Sequence, residues 1–109
     1  MLLTANEINS RILGFSDVLE LAVSLDPAFG RYELRMFLSN SQGDTITLRC
    51  GEVWSLNIAA FGGGLTQFLG LCAHDVRARQ LDRTIYYFLD REREQIAFYC
   101  RTVDISPDR

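Results

Sequence analysis

Lysine is absent from this sequence, and all eleven of its basic residues are arginines. The arginines are dispersed, which favours GC-rich coding as the origin of this bias over selection for bidentate arginine contacts. A P-loop requires a lysine that contacts the phosphates, so the three consecutive glycines at 62–64 do not form one. They predict a tightly turning or flexible connector instead.

A strong charge of one sign is also missing. The formal net charge is -3, and the arginines of residues 71–109 are balanced by as many acidic residues. Proteins that bind nucleic acid usually carry a net basic field, so we expect no nucleic-acid partner. No apolar stretch approaches the roughly 20 residues of a membrane span, and residues 1–4 lack the basic start of a signal peptide. We therefore expect no membrane association.

Histidine and cysteine are scarce. The three cysteines lie far apart without a CxxC motif, which argues against a disulfide framework and a zinc site. Cys50 and Cys100 each end an alternating apolar run, where cysteine acts as a small buried residue, and reduced thiols predict a cytoplasmic protein. A catalytic thiol needs a base that reaches its sulfur, and Cys72 with His74 is the one adjacent pair. We expect a structural His74, no catalytic residue, no metal and no cofactor.

The N-terminus carries the signals of a short helix. Thr4 and Glu7 have the spacing of a capping box, in which each side chain accepts a hydrogen bond from the other residue's amide. Ile8 and Ile12 then share one face, and Gly14 can end the helix. These signals predict a helix over residues 5–13, which is too short to be stable without docking on the rest of the chain.

Alternation of apolar and polar residues begins at Asp17 and predicts strands along most of the remaining chain. The clearest runs are residues 31–38, 45–50 and 95–101. Short polar connections between successive runs favour antiparallel pairing. The charged segment Asp90 to Glu94 is predicted to be a solvated hairpin loop.

The fold class predicted from these elements is mainly β, on the border of α+β. We expect an antiparallel sheet or sandwich of six or seven strands with one N-terminal helix. The chain is read as one domain over residues 1–109, with a β-rich core at 17–105 and a frayed tail at 106–109. Residues 65–81 are ambiguous: in an alternative two-layer α+β fold they are substantially helical, and Asp75 can cap a turn through Arg79.

Five residues in the least regular part of the chain are candidates for a binding site. Trp54 and Phe61 flank the glycine connector, and aromatic side chains are enriched where proteins bind one another, although in a small domain most belong to the core. His74 is the single histidine, and Arg77 and Arg79 form a patch that could hold an anion bidentately. Interleaved acidic residues make self-neutralising pairs the simpler interpretation of that patch.

Two pieces of the sequence resemble small bacterial β-rich proteins of uncharacterised function, including some immunity-type proteins. The first is Ile46 to Cys50 followed by Val53. The second is the Asp90 and Glu92 pair leading to the alternating Ile96, Phe98 and Cys100. The resemblance spans residues 44–105 and implies a compact β domain in the bacterial cytosol, without a catalytic motif.

A non-enzymatic protein-interaction domain is therefore the predicted function, with a protein partner or a second copy of the chain as its target. Aromatic residues on both faces of the last hairpin support this prediction, because only one face can pack on the core. The alternative is a small-ligand-binding β domain that recognises an anion near Trp54, Phe61 and the arginine patch. An enzyme that uses Cys72 or His74 is a third hypothesis.

Overall fold

Alternating burial produces eight strands in residues 2–108, the part of the chain that the computed structural model describes. One α-helix precedes the strands, and a short 3-10 helix, η1, lies between the fifth and the sixth. The elements are α1 (Ala5–Ile12), β1 (Asp17–Asp26), β2 (Arg31–Ser39), β3 (Thr45–Ile58), β4 (Thr66–Gln67), β5 (Leu71–Asp75), η1 (Arg77–Arg79), β6 (Tyr86–Asp90), β7 (Ile96–Cys100) and β8 (Thr102–Asp108). A mainly β fold with one N-terminal helix is thus confirmed, with eight strands rather than six or seven.

All strand pairs are antiparallel, and the sheet order is β4-β1-β2-β3-β7-β6-β5. The long strand β3 organises this sheet. One of its edges pairs with β2, while its other edge pairs first with β8 through Gly51 and then with β7 from Trp54 onward. β3 therefore joins two halves of the sheet, and the change of partner falls between Gly51 and Trp54.

The helix begins and packs as its sequence predicts. The Glu7 amide donates to the Thr4 hydroxyl at 3.0 Å, and the Thr4 amide donates to the Glu7 carboxylate at 2.8 Å, which completes the capping box. Ile8 and Ile12 are buried in the core. α1 ends one residue before the predicted boundary and contacts β5 at the sheet edge. No helix within residues 2–108 is long and apolar enough to cross a membrane.

The core is formed by the residues that alternation singles out. Leu34, Met36 and Leu38 of β2 are fully buried, and so are Leu48 and Cys50 of β3. On the last hairpin, the rings of Phe88 and Phe98 stack with centroids 4.9 Å apart. The predicted strands at 31–38 and 45–50 and the last hairpin are therefore confirmed.

The alternative helical interpretation of residues 65–81 is wrong. This segment forms β4, β5 and the 3-10 turn η1. The edges of β1 and β6 supply backbone partners for β4 and β5, and pairing outweighs local propensity. The predicted cap at Asp75 is also wrong: Val76 is the residue that caps η1, and no side chain caps the turn, although the Asp75 carboxylate accepts the Arg77 amide at 3.0 Å.

Two predicted loops are also more ordered than expected. Residues 106–108 are not a tail but the end of β8, because the free edge of β3 pairs with them; residue 109 lies outside the described part. Asp90 is not solvated: it is 1% exposed, because its carboxylate accepts backbone amides from the surrounding turns.

Candidate binding surface

Two bulges in β3 shape the surface where the two halves of the sheet meet. Relative to β2, β3 has one extra residue at Glu52, and relative to β7 it has one extra residue between Trp54 and Asn57. Glu52 and Ser55 adopt left-handed backbone conformations, with φ of 52° and 54°. Such conformations are costly for residues other than glycine and often mark places where a strand redirects its side chains. Here they turn Glu52 and Trp54 toward one cleft.

Glu52 lies at the centre of three arginines that come from separate segments. Arg83 binds its carboxylate bidentately, with distances of 2.9 Å and 2.8 Å. Arg31 of β2 lies 3.7 Å away and Arg101, between β7 and β8, lies 3.9 Å away. Arg101 also donates to the Arg83 carbonyl oxygen at 3.0 Å. Three arginines surround one carboxylate, so the cluster has a net positive charge. It lies where the partner of β3 changes from β8 to β7.

The hydrogen bonds from Arg83 hold the pKa of the Glu52 carboxyl below its ordinary value, and the charges of Arg31, Arg83 and Arg101 act in the same direction against partial burial. Because the folded-state pKa is lowered, the stabilisation is present above the unfolded value of about 4.3 and is lost as pH falls through the folded value.

We expect the substitution Glu52→Gln to lower the free energy of unfolding by about 1 kcal/mol at neutral pH, the upper range for partly exposed ion pairs. The difference from the unsubstituted chain should shrink as pH falls to about 3, where the carboxyl takes up a proton. Urea unfolding at both pH values measures this, with Glu94→Gln in the exposed hairpin turn as the control. A difference that does not change with pH would contradict the role of the Glu52 charge.

Four rings form a row across four neighbouring strands, on the side of the sheet opposite Phe88 and Phe98. The aromatic row consists of Trp54, Tyr99, Tyr87 and His74. Trp54 stacks on Tyr99 with centroids 4.5 Å apart, Tyr99 lies 4.6 Å from Tyr87, and Tyr87 lies 6.4 Å from His74. Each contact joins residues that are paired across adjacent strands, so the sheet register itself builds the row.

Trp54 ends this row at a cleft of about 350 Å³. Its indole N–H donates to the Thr84 hydroxyl at 2.8 Å, and Tyr99 covers one face of the ring. The residue nevertheless stays 45% exposed, which leaves the opposite face open. Tyr32, which is 49% exposed, lines the same cleft. The polar lining comes from Arg31, Glu52, Asp82 and Arg83.

The five residues singled out from the sequence have different environments. Trp54 and His74 occupy the two ends of the aromatic row, and Arg79 lies 3.5 Å from the Tyr99 hydroxyl. Arg77 is held by Asp75, with a shortest distance of 2.6 Å, as the self-neutralising interpretation predicts. Phe61 lies in the glycine connector after β3 and is 55% exposed; it belongs to neither the row nor the cleft. Trp54, His74 and Arg79 are thus connected through the aromatic row, although Trp54 and His74 lie at its opposite ends.

Sequence reasoning missed the cluster around Glu52 and the position of Tyr32. Arg31, Glu52, Arg83 and Arg101 are far apart in the chain and meet only because β3 bulges where it changes partner. One signal was present: the alternation of residues 45–50 breaks at Gly51. A side chain at Gly51 would clash with the Thr102 hydroxyl, so this close approach of strands requires a glycine or a shift of Thr102.

The thiols are free and mostly buried. Burial raises the pKa of the Cys50 thiol well above its ordinary value, and a hydrogen bond with Cys100 adds to this, so Cys50 is held as an unreactive thiol. Cys72 and His74 both lie on β5, two positions apart. Within residues 2–108, no group of three or more His, Cys, Asp and Glu side chains converges in a way that could hold a metal ion.

Comparison with known proteins gives no match: no family model, no curated protein and no solved structure is significantly similar to this chain. The residues of the surface are therefore the basis on which its function is argued.

Proposed function

We propose that this chain is a non-enzymatic protein-interaction domain whose partner docks on the cleft surface, defined by Arg31, Tyr32, Glu52, Trp54 and Arg83. The observation that carries the proposal is the half-exposed indole of Trp54, which Tyr99 and Thr84 hold in place at a cleft that Tyr32 also lines. Tryptophan, tyrosine and arginine are the residues most enriched among those that dominate binding energy, and all three types line this cleft.

Preorganisation supports the same function. A side chain that must be immobilised on binding loses roughly 0.5–1.5 kcal/mol of conformational freedom. The stacking on Tyr99 and the hydrogen bond to Thr84 immobilise Trp54 before any partner arrives. The bidentate pair with Glu52 does the same for Arg83. A partner would meet a rigid aromatic anchor with a charged rim, the arrangement that favours specific protein recognition.

A small anionic ligand is the second candidate function, favoured by the three arginines that surround one carboxylate. The charges that line the cleft nevertheless cancel, because Arg31 and Arg83 face Glu52 and Asp82. A protein partner is preferred for this reason, since it can match both signs. An increase in melting temperature with phenyl phosphate that is lost in Arg83→Gln would favour the ligand instead.

A bacterial, cytoplasmic, immunity-type or accessory role belongs to the same proposal. Three free cysteines suit a reducing compartment, and the resemblance of residues 44–105 to immunity-type proteins would make the partner a toxin. A toxin gene beside the gene for this chain would support this role, whereas a metabolic operon would favour the ligand binder.

Photo-crosslinking tests the cleft surface directly. We expect benzoylphenylalanine at position 32 to give one adduct of defined mass in lysate of the native host, and the same group at position 61 to give none. Phe61 is the matched control because it is an aromatic residue of similar exposure outside the cleft. The substitution Trp54→Ala should weaken the adduct partner's affinity by about 2 kcal/mol, roughly thirtyfold, as expected for an anchor residue.

The crosslinking results at positions 32 and 61 distinguish binding at the cleft surface from binding elsewhere. Equal adducts at both positions, or an adduct at position 32 that persists unchanged in Trp54→Ala, would contradict the cleft surface as the binding site. No adduct at either position would contradict a protein partner at this cleft. An adduct of twice the chain's mass that is weakened in Trp54→Ala would replace an external partner at the cleft with a second copy.

A further inference from the structure

The outer edge of β1 is open along most of its length. β4 pairs with β1 only at Asp17 and Val18, so within residues 2–108 no strand lies beside positions 19–26 on that side. The side chains of Leu19, Val23 and Leu25 are about half exposed there. An open strand edge presents unpaired amide and carbonyl groups and pairs readily with another strand.

The usual protections of such an edge are sparse. Residues 19–25 contain no proline and no basic residue, and their single charge, Glu20, is paired with Arg35 at 3.7 Å. A bulge at Leu19 is the one irregularity, because pairing with β2 is regular from Glu20 to Asp26. An edge of this kind is expected to be covered by a partner strand.

The sequence of this edge indicates which partner. Leu19-Glu20-Leu21-Ala22-Val23-Ser24-Leu25 has the same pattern in both directions about Ala22: apolar at one and three positions away, polar at two. A strand that is symmetric in this way can pair with a second copy of itself in antiparallel orientation. We infer that two copies of this chain dimerise by pairing their β1 edges about a twofold axis at Ala22.

Charge and sheet geometry select this register. The core-facing side chains of both copies stay on one face of the joined sheet only if one residue faces its own counterpart at the twofold axis. An axis midway between two successive residues would put the core-facing side chains of the two copies on opposite faces. An axis at Val23 places the Glu20 of each copy opposite the Asp26 of the other copy. Like charges that are directly opposite each other are destabilising. An axis at Leu21 places Ser24 and Leu25 of the incoming strand opposite Val18 and Asp17, the two residues that β4 already pairs.

An axis at Ala22 keeps the carboxylates apart and pairs residues 19–25 of both copies, so that only Asp26, the last residue of β1, reaches the level of Val18. Glu20 then faces Ser24 of the second copy, Leu21 faces Val23, and Leu19 faces Leu25. The apolar side chains that are exposed along the edge become covered in pairs. Pairing is closed after two copies, because each chain uses the same edge.

Sedimentation measures the association, and we expect a concentration-dependent dimer. The substitution Val23→Lys should raise its dissociation constant at least tenfold, because a charge on the inner face of the edge would lie opposite Leu21. Leu65→Lys, in the exposed glycine connector, is the matched control and should leave the dissociation constant unchanged. Trp54→Ala should also dimerise normally, so this experiment tests the β1 dimer separately from the proposed partner at the cleft surface.

Cysteine crosslinking tests the register. In a Cys72→Ala background, Ala22→Cys places two thiols opposite each other within reach of a disulfide, so copper phenanthroline should link the copies. Ser24→Cys, which faces Glu20 instead, should link them far less. A monomer at about 1 mM, assemblies larger than two, equal effects of Val23→Lys and Leu65→Lys, or equal crosslinking at positions 22 and 24 would each overturn the inference.

Discussion

Replacing Asp90 with alanine is expected to lower the free energy of unfolding by about 3 kcal/mol, because each buried amide left without a partner costs roughly 1–3 kcal/mol. The Asp90 carboxylate accepts the amides of Gly70, Glu92 and Gln95 at 3.0, 3.2 and 3.3 Å. Urea unfolding followed by circular dichroism measures the loss.

Gly70 packs tightly against the turn that this carboxylate holds. Gly70 lies so close to the β6–β7 turn that a side chain there would come within 2.8 Å of the Glu92 amide nitrogen. Its carbonyl oxygen accepts the Arg91 amide at 2.9 Å. Asp90 therefore fastens the start of β5 to the turn between β6 and β7.

Two further variants define the effect. Asp90→Asn keeps the oxygen that accepts the Gly70 and Glu92 amides, so it should lose about half as much stability as Asp90→Ala. Glu94→Ala, at an exposed position of the same turn, should remain within about 0.5 kcal/mol of the unsubstituted chain. If Asp90→Ala were as stable as Glu94→Ala, the carboxylate would not be holding the turn.

Asp90 also shows where sequence analysis reaches its limit. Strands β2 and β3 and the last hairpin were predictable because burial with a period of two is a local property of each segment. A charged residue at a hairpin is solvated by default, and only the arrival of Gly70 from another segment removes Asp90 from water. The function of such a residue depends on pairing between distant parts of the chain, which periodicity does not encode.

The same reason accounts for the last strand and the candidate site. Residues 106–108 look like a tail because Pro107 interrupts the pattern, yet proline is tolerated on an edge strand, and the edge of β3 is available there. Residue type alone was enough to select Trp54 and His74. The cluster around Glu52 could not be selected in this way, because its arginines converge only when the bulged strand brings them together.

The attachment of α1 depends on a partly buried polar side chain, and replacing Asn9 with alanine should lower the free energy of unfolding by about 2 kcal/mol. The Asn9 amide group accepts the Ala73 N–H at 2.7 Å and donates to the Ala73 carbonyl oxygen at 3.0 Å. Both backbone groups belong to a residue of β5 that is almost fully buried. Alanine would leave them unpaired, and its better helix propensity would offset only about 0.5 kcal/mol.

Asn6→Ala, on the exposed side of the same helix, provides the control and should be neutral or slightly stabilising. Hydrogen exchange adds a local measurement, since the Ala73 amide should lose protection in Asn9→Ala well before the amides of β2. Equal stability of the two variants would mean that Ile8 and Ile12 alone hold the helix. An unequal result would show that Asn9 satisfies the backbone of Ala73 at the β5 edge and thereby fastens α1 to the sheet.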